Sequence, residues 1–253
     1  MKQRKIALVT GGSRGLGRDM AINLARKGLA VVITYHTNQQ AAEEVISEIE
    51  NAGSVGYMLQ LDSSNTQTFE QFYQELSALL TTKTGQSNFD YLINNAGTGI
   101  YKPFAETTEE DFDTMLNIHF KGVYFLTQKA LPFLNDGGGI VNISSGLARF
   151  TFPGSSAYAS MKGAIEVFTK YLAKELGSRG IRANVVAPGA VATDFGGGTN
   201  RDNEQKRSSI ASVTALGRVG EPEDIGSVVA FLCTPDAHWL TAQRLEASGG
   251  TML

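Results

Sequence analysis

The 253-residue chain has a single cysteine, Cys233, so no intramolecular disulfide framework is available to it. That residue lies in the apolar run "VVAFLCTP", where a buried thiol acting as a small hydrophobe is expected. The three histidines, His36, His119 and His238, are scattered without metal-ligand spacing, and no metal centre is expected. A formal net charge of -3 offers nothing to attract nucleic acid or an anionic membrane. No apolar run approaches the length of a membrane span. "MKQRKIALVTGG" opens with cations, but its apolar run breaks at glycines short of a signal-peptide core, so a cytoplasmic location is expected. Prolines number only 6. The 28 glycines cluster at turns, as a loop-built binding site requires.

What is present is a rhythm. Short β-branched runs at 6–10, 30–34, 55–61, 90–94, 139–144 and 181–187 read as strands, with a possible edge strand at 243–247. Segments of helical period fall between them, at about 16–28, 39–52, 66–82, 109–134, 157–178 and 222–233. Near-continuous apolar strands alternating with helices predict an α/β fold, a doubly wound parallel sheet covered on both faces. No internal repeat or linker divides the chain, and one domain over 1–253 is expected. Only "FGGGTNRDNEQKRSSIAS" (195–212) departs from the rhythm; it reads as an inserted loop or lid.

Two local patterns carry chemistry. "VTGGSRGLG" follows the first strand and opens the first helix, with Gly11, Gly15 and Gly17 after Thr10. Glycines there let the backbone approach a pyrophosphate, and free N–H groups at a helix start attract anions. The second pattern is "SSAYASMKGA", which sets Tyr158 one helical turn before Lys162. An ammonium beside a phenol favours the phenolate, which would make the tyrosine a usable acid or base. Alone this pair is weak, since a chain of this composition contains some Y-x-x-x-K by chance about one time in three.

Context comes from motifs in order: T-G-x-x-x-G-x-G at 10–17, "NNAG" at 94–97, Ser145 13 residues before Tyr158, the Y-x-x-x-K itself, and "PG" at 188–189. Together they resemble the short-chain dehydrogenase/reductase family over essentially the whole chain. The resemblance implies hydride transfer between NADP(H) and a ketone or secondary alcohol. It assigns Tyr158 as general acid/base and Ser145 as the hydrogen-bond partner of the substrate oxygen. Lys162 is assigned to lower the tyrosine pKa and bind the nicotinamide ribose, and Asn117 to support a water relay to that lysine. His119, two residues beyond Asn117, receives no role. Ser144 is set aside in favour of Ser145 by the spacing to Tyr158.

The same resemblance places the cofactor along Gly11, Ser13, Arg14, Gly15, Leu16 and Gly17. Asp62 and Ser63 fall at its adenine, and Asn94, Ala96 and Gly97 at its adenine ribose. Pro188, Gly189, Val191 and Thr193 wall the nicotinamide. At the end of the second strand Tyr35 stands where NAD-preferring relatives carry an acid, and no carboxylate is nearby. Arg14, with His36, Thr37 and Asn38 as donors, suits a 2′-phosphate and hence NADP. Phe150, Phe152 and Phe195 border the segments that meet substrate in the family, and could converge on it.

The expected protein is therefore an NADPH-dependent ketone reductase, most like bacterial 3-oxoacyl-carrier-protein reductases and related enzymes, and a homotetramer. A sugar or polyol dehydrogenase is the nearest alternative, and a non-catalytic NADP-binding sensor a more distant one. The charges at Arg201, Asp202, Glu204, Lys206 and Arg207 are mixed, which favours a free apolar ketone over a chain on an acidic carrier.

Overall fold

The computed structural model describes residues 4–253. Seven strands form one sheet: β1 (Ile6–Val9), β2 (Ala30–Tyr35), β3 (Gly56–Gln60), β4 (Phe89–Asn94), β5 (Leu134–Ile143), β6 (Arg182–Pro188) and β7 (Arg244–Ala247). Their order is β3-β2-β1-β4-β5-β6-β7, and every pairing is parallel. The order reverses between β1 and β4, which opens a crevice at the carboxyl ends of those strands, the place where such sheets bind ligands.

Strand alternation divides the core into two layers. Ala7, Val9, Val31 and Ile33 face one layer, beneath α1 (Gly15–Arg26), α2 (Gln39–Asn51) and α9 (Pro222–Leu232). Ile6, Leu8, Ala30 and Val32 face the other, against α3 (Phe69–Thr84), α5 (Gly122–Ala130) and α6 (Ser156–Glu175). Each helix turns its apolar stripe to the sheet, so burial on both faces explains why the strands lack polar alternation.

Two expectations change. The helical pattern at 109–134 is not one helix: α4 (Glu109–Leu116) passes into a π turn at Asn117–Lys121 before α5, and β5 begins at Leu134. Asp136, Gly137 and Gly138 hid that early strand start. The segment 195–212 is mostly helical rather than an irregular loop. After a turn at Phe195–Gly198 come α7 (Thr199–Asp202) and α8 (Glu204–Ser212), and α8 has no buried residue. It contributes nothing to the core. Among the described residues, no helix is long and apolar enough to cross a membrane.

Candidate active site

The crevice is built first by the loop between β1 and α1. Thr10 Oγ1 accepts from the backbone N–H groups of Asn95 and Ala96, both at 3.0 Å. Asn95 Nδ2 donates back to the Thr10 carbonyl at 2.9 Å. These bonds tie the glycine loop to the end of β4. Gly11 has φ +64, and a Cβ there would lie 2.9 Å from Ala96 Cα; both the turn and the close approach require glycine. Helix α1 begins without a capping side chain and without an acid in its first turn, so its N–H groups are open to an anion. Arg14 is exposed at its N-cap.

At the other end of the crevice, Tyr35 closes β2 and His36 lies exposed, its Nε2 3.8 Å from Asp62 Oδ2. Thr37 is exposed. Asn38 is already in use, capping α2 by accepting from Ala41 N–H at 3.0 Å. Ser64 holds Asp62 through its N–H and hydroxyl at 2.9 and 2.6 Å. Burial pushes the Asp62 carboxyl up, but the Ser64 bonds and His36 outweigh it and hold it below the usual range. The Asn94 amide points into the fold, donating to Thr127 and Asn142, so only its backbone is left to face the crevice. Pro188 ends β6 and Gly189 follows it, and Thr193 approaches the glycine loop near Gly15.

Tyr158 and Lys162 lie one turn apart on α6, 7% and 5% exposed, with the ammonium 5.4 Å from the ring centroid. Lys162 Nζ donates to the Ile143 carbonyl at 2.7 Å. Ser145 is extended and caps a short turn, its Oγ accepting from Leu147 N–H at 3.2 Å. Ser144 is spent elsewhere, donating to Glu166 at 2.7 Å.

The electrostatics differ from the simple ammonium–phenolate expectation. Burial, then the neighbouring Tyr101, push the Tyr158 hydroxyl well above the ordinary phenol range; Ser145 pulls it back. Burial also brings Lys162 down to about 7. Desolvation outweighs attraction here because both groups are enclosed together. The neutral phenol is the form that can donate a proton.

The predicted aromatics do not all converge. Phe195 reaches Tyr158, with ring centroids 5.8 Å apart. Phe150 instead packs beneath Gly146 and under the Arg149 guanidinium, and Phe152 is 65% exposed. Two unassigned residues take the remaining places around the ring. Tyr101 lies 6.2 Å from Tyr158, and the His119 ring meets it edge-on at 4.9 Å. Asn117 opens the π turn, where its carbonyl accepts from Gly122 N–H. The only sequence hint for His119 was a histidine set between Ile118 and Phe120 on an apolar helix.

A sequence profile described as "Enoyl-(Acyl carrier protein) reductase" matches residues 11–252. The hydroxynaphthalene reductase-like protein Arp2 of Metarhizium brunneum is 35% identical over 259 residues, covering 98% of this chain and 95% of its own. Among solved structures, the promiscuous reductase LugOII, which catalyses keto-reduction at C1 during lugdunomycin biosynthesis, superposes with a TM-score of 0.94 at 38% identity, covering 99% of each chain. The landomycin C-6 ketoreductase LanV, solved with bound NADP and rabelomycin, has a TM-score of 0.90 at 37% identity, covering 99% of this chain and 97% of its own.

Proposed function

The chain belongs to the short-chain dehydrogenase/reductase family, and on that premise we propose that it reduces a ketone to a secondary alcohol with NADPH, Tyr158 donating the proton. The observation that carries the reading is the burial of Tyr158 and Lys162 beside the crevice, with the half-buried Ser145 at the tyrosine hydroxyl. When bound, the reduced nicotinamide supplies the hydride. Tyr158 gives its proton to the developing alkoxide, Ser145 orients that oxygen, and Lys162 holds the ribose. The crevice suits the cofactor: α1 opens without an acid and with Arg14 at its N-cap, and His36 and Thr37 follow directly on β2, which itself carries no carboxylate.

For substrate, the reading is a flat, largely apolar ketone held between Tyr101 and Phe195. Flat rings gain from aromatic walls beyond their simple burial. Arp2-like proteins and LanV carry names of fused-ring chemistry, which agrees with this choice. Both arginines of 195–212 have carboxylate partners, Arg201 with Asp194 and Asp202 and Arg207 with Glu221, while Lys206 donates to the Thr199 hydroxyl. A carrier protein would therefore meet little free positive charge. The segment acts as a lid over a single catalytic domain. A cytoplasmic homotetramer belongs to the same reading, supported by exposed apolar side chains on α5 and α6.

The test follows NADPH absorbance with four substrates: a tetralone or naphthol-derived ketone, a 3-oxoacyl carrier protein, an enoyl thioester and a polyol with NADP. We expect the aromatic ketone to give the highest kcat/KM. A preference of about a hundredfold for the carrier-bound ketone, roughly 2.7 kcal/mol of transition-state binding, would reassign the substrate and leave Tyr158 in place. Turnover of the enoyl thioester alone would overturn ketone reduction.

A further inference from the structure

Behind Ser145 runs a line of alternating charges that the proposed reaction leaves unused. Arg149 grips Glu246 through two bonds, Nε at 2.8 Å and Nη2 at 2.7 Å. Arg244 joins Glu246 by Nη1 and Glu166 by Nε, both at 2.7 Å. Glu166 in turn accepts from the Ser144 hydroxyl at 2.7 Å. The remaining corner of Arg244, Nη2, donates to the Ser145 carbonyl at 3.4 Å. Two cations and two anions cancel, so Arg244, Glu166 and Glu246 can lie half-buried with no charge left unpaired.

Short spacings in the chain build this line. Glu166 follows Lys162 by one turn on α6, so it shares the face of Tyr158 and Lys162. Arg244 and Glu246 are two apart on β7 and share a face of that strand. Arg149 follows the short turn that Ser145 caps. The outer end is anchored as well: Arg149 donates to the carbonyls of Thr251 and Met252 at 2.6 and 3.1 Å, and Met252 N–H donates to the Val213 carbonyl at 2.9 Å. The Arg149 bonds, against burial and with help from Arg244 and Ser248, hold the Glu246 carboxyl down to about 2. It is therefore charged wherever the enzyme works. Ion pairs near a surface add little stability by themselves. The bond to Ser145 is of another kind, because it holds the main chain of the residue whose side chain bonds the Tyr158 hydroxyl. Misplacing an orienting group by on the order of 1 Å can cost about 10²-fold in rate.

Resting on the ketone-reductase reading, we propose that Arg244 is a positioning residue for Ser145, fixed by Glu166 and Glu246 and braced from outside by Arg149. It acts through Ser145 and not on the substrate. One guanidinium holds the Ser145 carbonyl directly and Ser144 through Glu166, so both residues that lead out of β5 are tied to β7 and α6. Ser145 Oγ then meets the substrate oxygen at one place.

The test uses the full chain. Arg244→Met should lower kcat about tenfold, with the KM for NADPH little changed, because the loss is one of placement. Adding Glu166→Gln removes the charge that this variant leaves unpaired and keeps an acceptor for Ser144. The double variant should regain melting temperature, while kcat stays low. Recovery of kcat together with stability would show a purely structural network and overturn the inference. In a Ser145→Ala background Arg244→Met should cost nothing further in kcat, since it acts through that serine. An additive loss would overturn the inference, as would wild-type kcat in Arg244→Met. If Arg244→Met does not fold, Arg149→Met at the exposed end carries the same cycle, with a smaller loss expected; no loss there would also overturn it. A further readout needs no turnover. Crystal structures of wild type and variant should show Ser145 Oγ displaced relative to the Tyr158 ring, and an undisplaced serine would overturn the inference. A wild type that reduces no ketone would sink the parent reading, and those two structures would still decide this one.

Discussion

Tyr158 shows how one residue's chemistry is set by its enclosure. Burial favours the uncharged forms of both Tyr158 and Lys162, one pushed up and the other down to about 7. This suits reduction, which needs a phenol; oxidation of the alcohol needs the phenolate and so should require higher pH. Tyr158→Phe should keep NADPH binding, measured by fluorescence, and lose about 10²–10⁴ in turnover. Near-normal turnover in that variant would remove Tyr158 from the chemistry. At the other end of the crevice, Tyr35→Asp should shift preference toward NADH, by repelling a 2′-phosphate and accepting from a free 2′-OH. Arg14→Ala should weaken NADPH selectively. Equal kcat/KM for both cofactors in the wild type would contradict that assignment. Ser145, Tyr158 and Lys162 were legible because their relation is written in local spacing, two of them along a single helix. His119 and Tyr101 were not. Their contacts with Tyr158 arise where a π turn and the loop after β4 fold over α6, and no short-range spacing encodes that.

Among elements, the central strands β1, β2 and β4 were readable because they are almost wholly buried and mostly apolar, whereas the interruption at 117–121 leaves the helical period on either side intact. The packing of α1 against α9 depends on a feature that periodicity hides. Asp19 is buried, and a Cβ on Gly226 would lie 1.8 Å from its Oδ2. Gly226→Ala should therefore force the two helices apart and cost about 1–3 kcal/mol by overpacking. Asp19→Ala should relieve part of that cost, and a double-mutant cycle by urea unfolding measures the coupling. If the two changes add independently, the contact is not what limits that position. Burial first, then Glu223, raise the Asp19 carboxyl from 3.8 to about 6. The folded state thus binds more protons than the unfolded chain between those values, and this group's contribution to stability falls as pH rises through that window. Asp19→Asn should remove that slope. Its advantage over wild type should be larger at pH 7 than at pH 4, by on the order of 1–3 kcal/mol. An unchanged difference across that range would show that Asp19 does not titrate there.

At the scale of the whole molecule, apolar side chains remain uncovered in two regions. On the outer side of α5 and α6, Tyr124 stacks on Phe168, while Phe125, Val167 and Tyr171 stay exposed, Tyr171 at 63%. Near the C-terminal end of the chain, Phe231 and Leu253 are exposed, and Trp239 is 89% exposed. Apolar surface gathered in this way marks association sites more often than free surface. A closed D₂ tetramer can use two different two-fold contacts, and two separate regions fit that arrangement. We expect light scattering at micromolar concentration to give about four times the 27.1 kDa chain mass. Val167→Glu with Tyr171→Asp should split the tetramer to dimers by placing like charges across the α5/α6 contact, and Trp239→Asp should do the same at the other. Tyr158 and Lys162 are buried residues of α6, so a contact on its outer face would support the element that holds them. If assembly stiffens that site, the α5/α6 dimer should lose kcat per subunit, while the Trp239 dimer keeps it. A wild-type monomer would refute the assembly, and equal kcat in both dimers would leave it a purely structural feature.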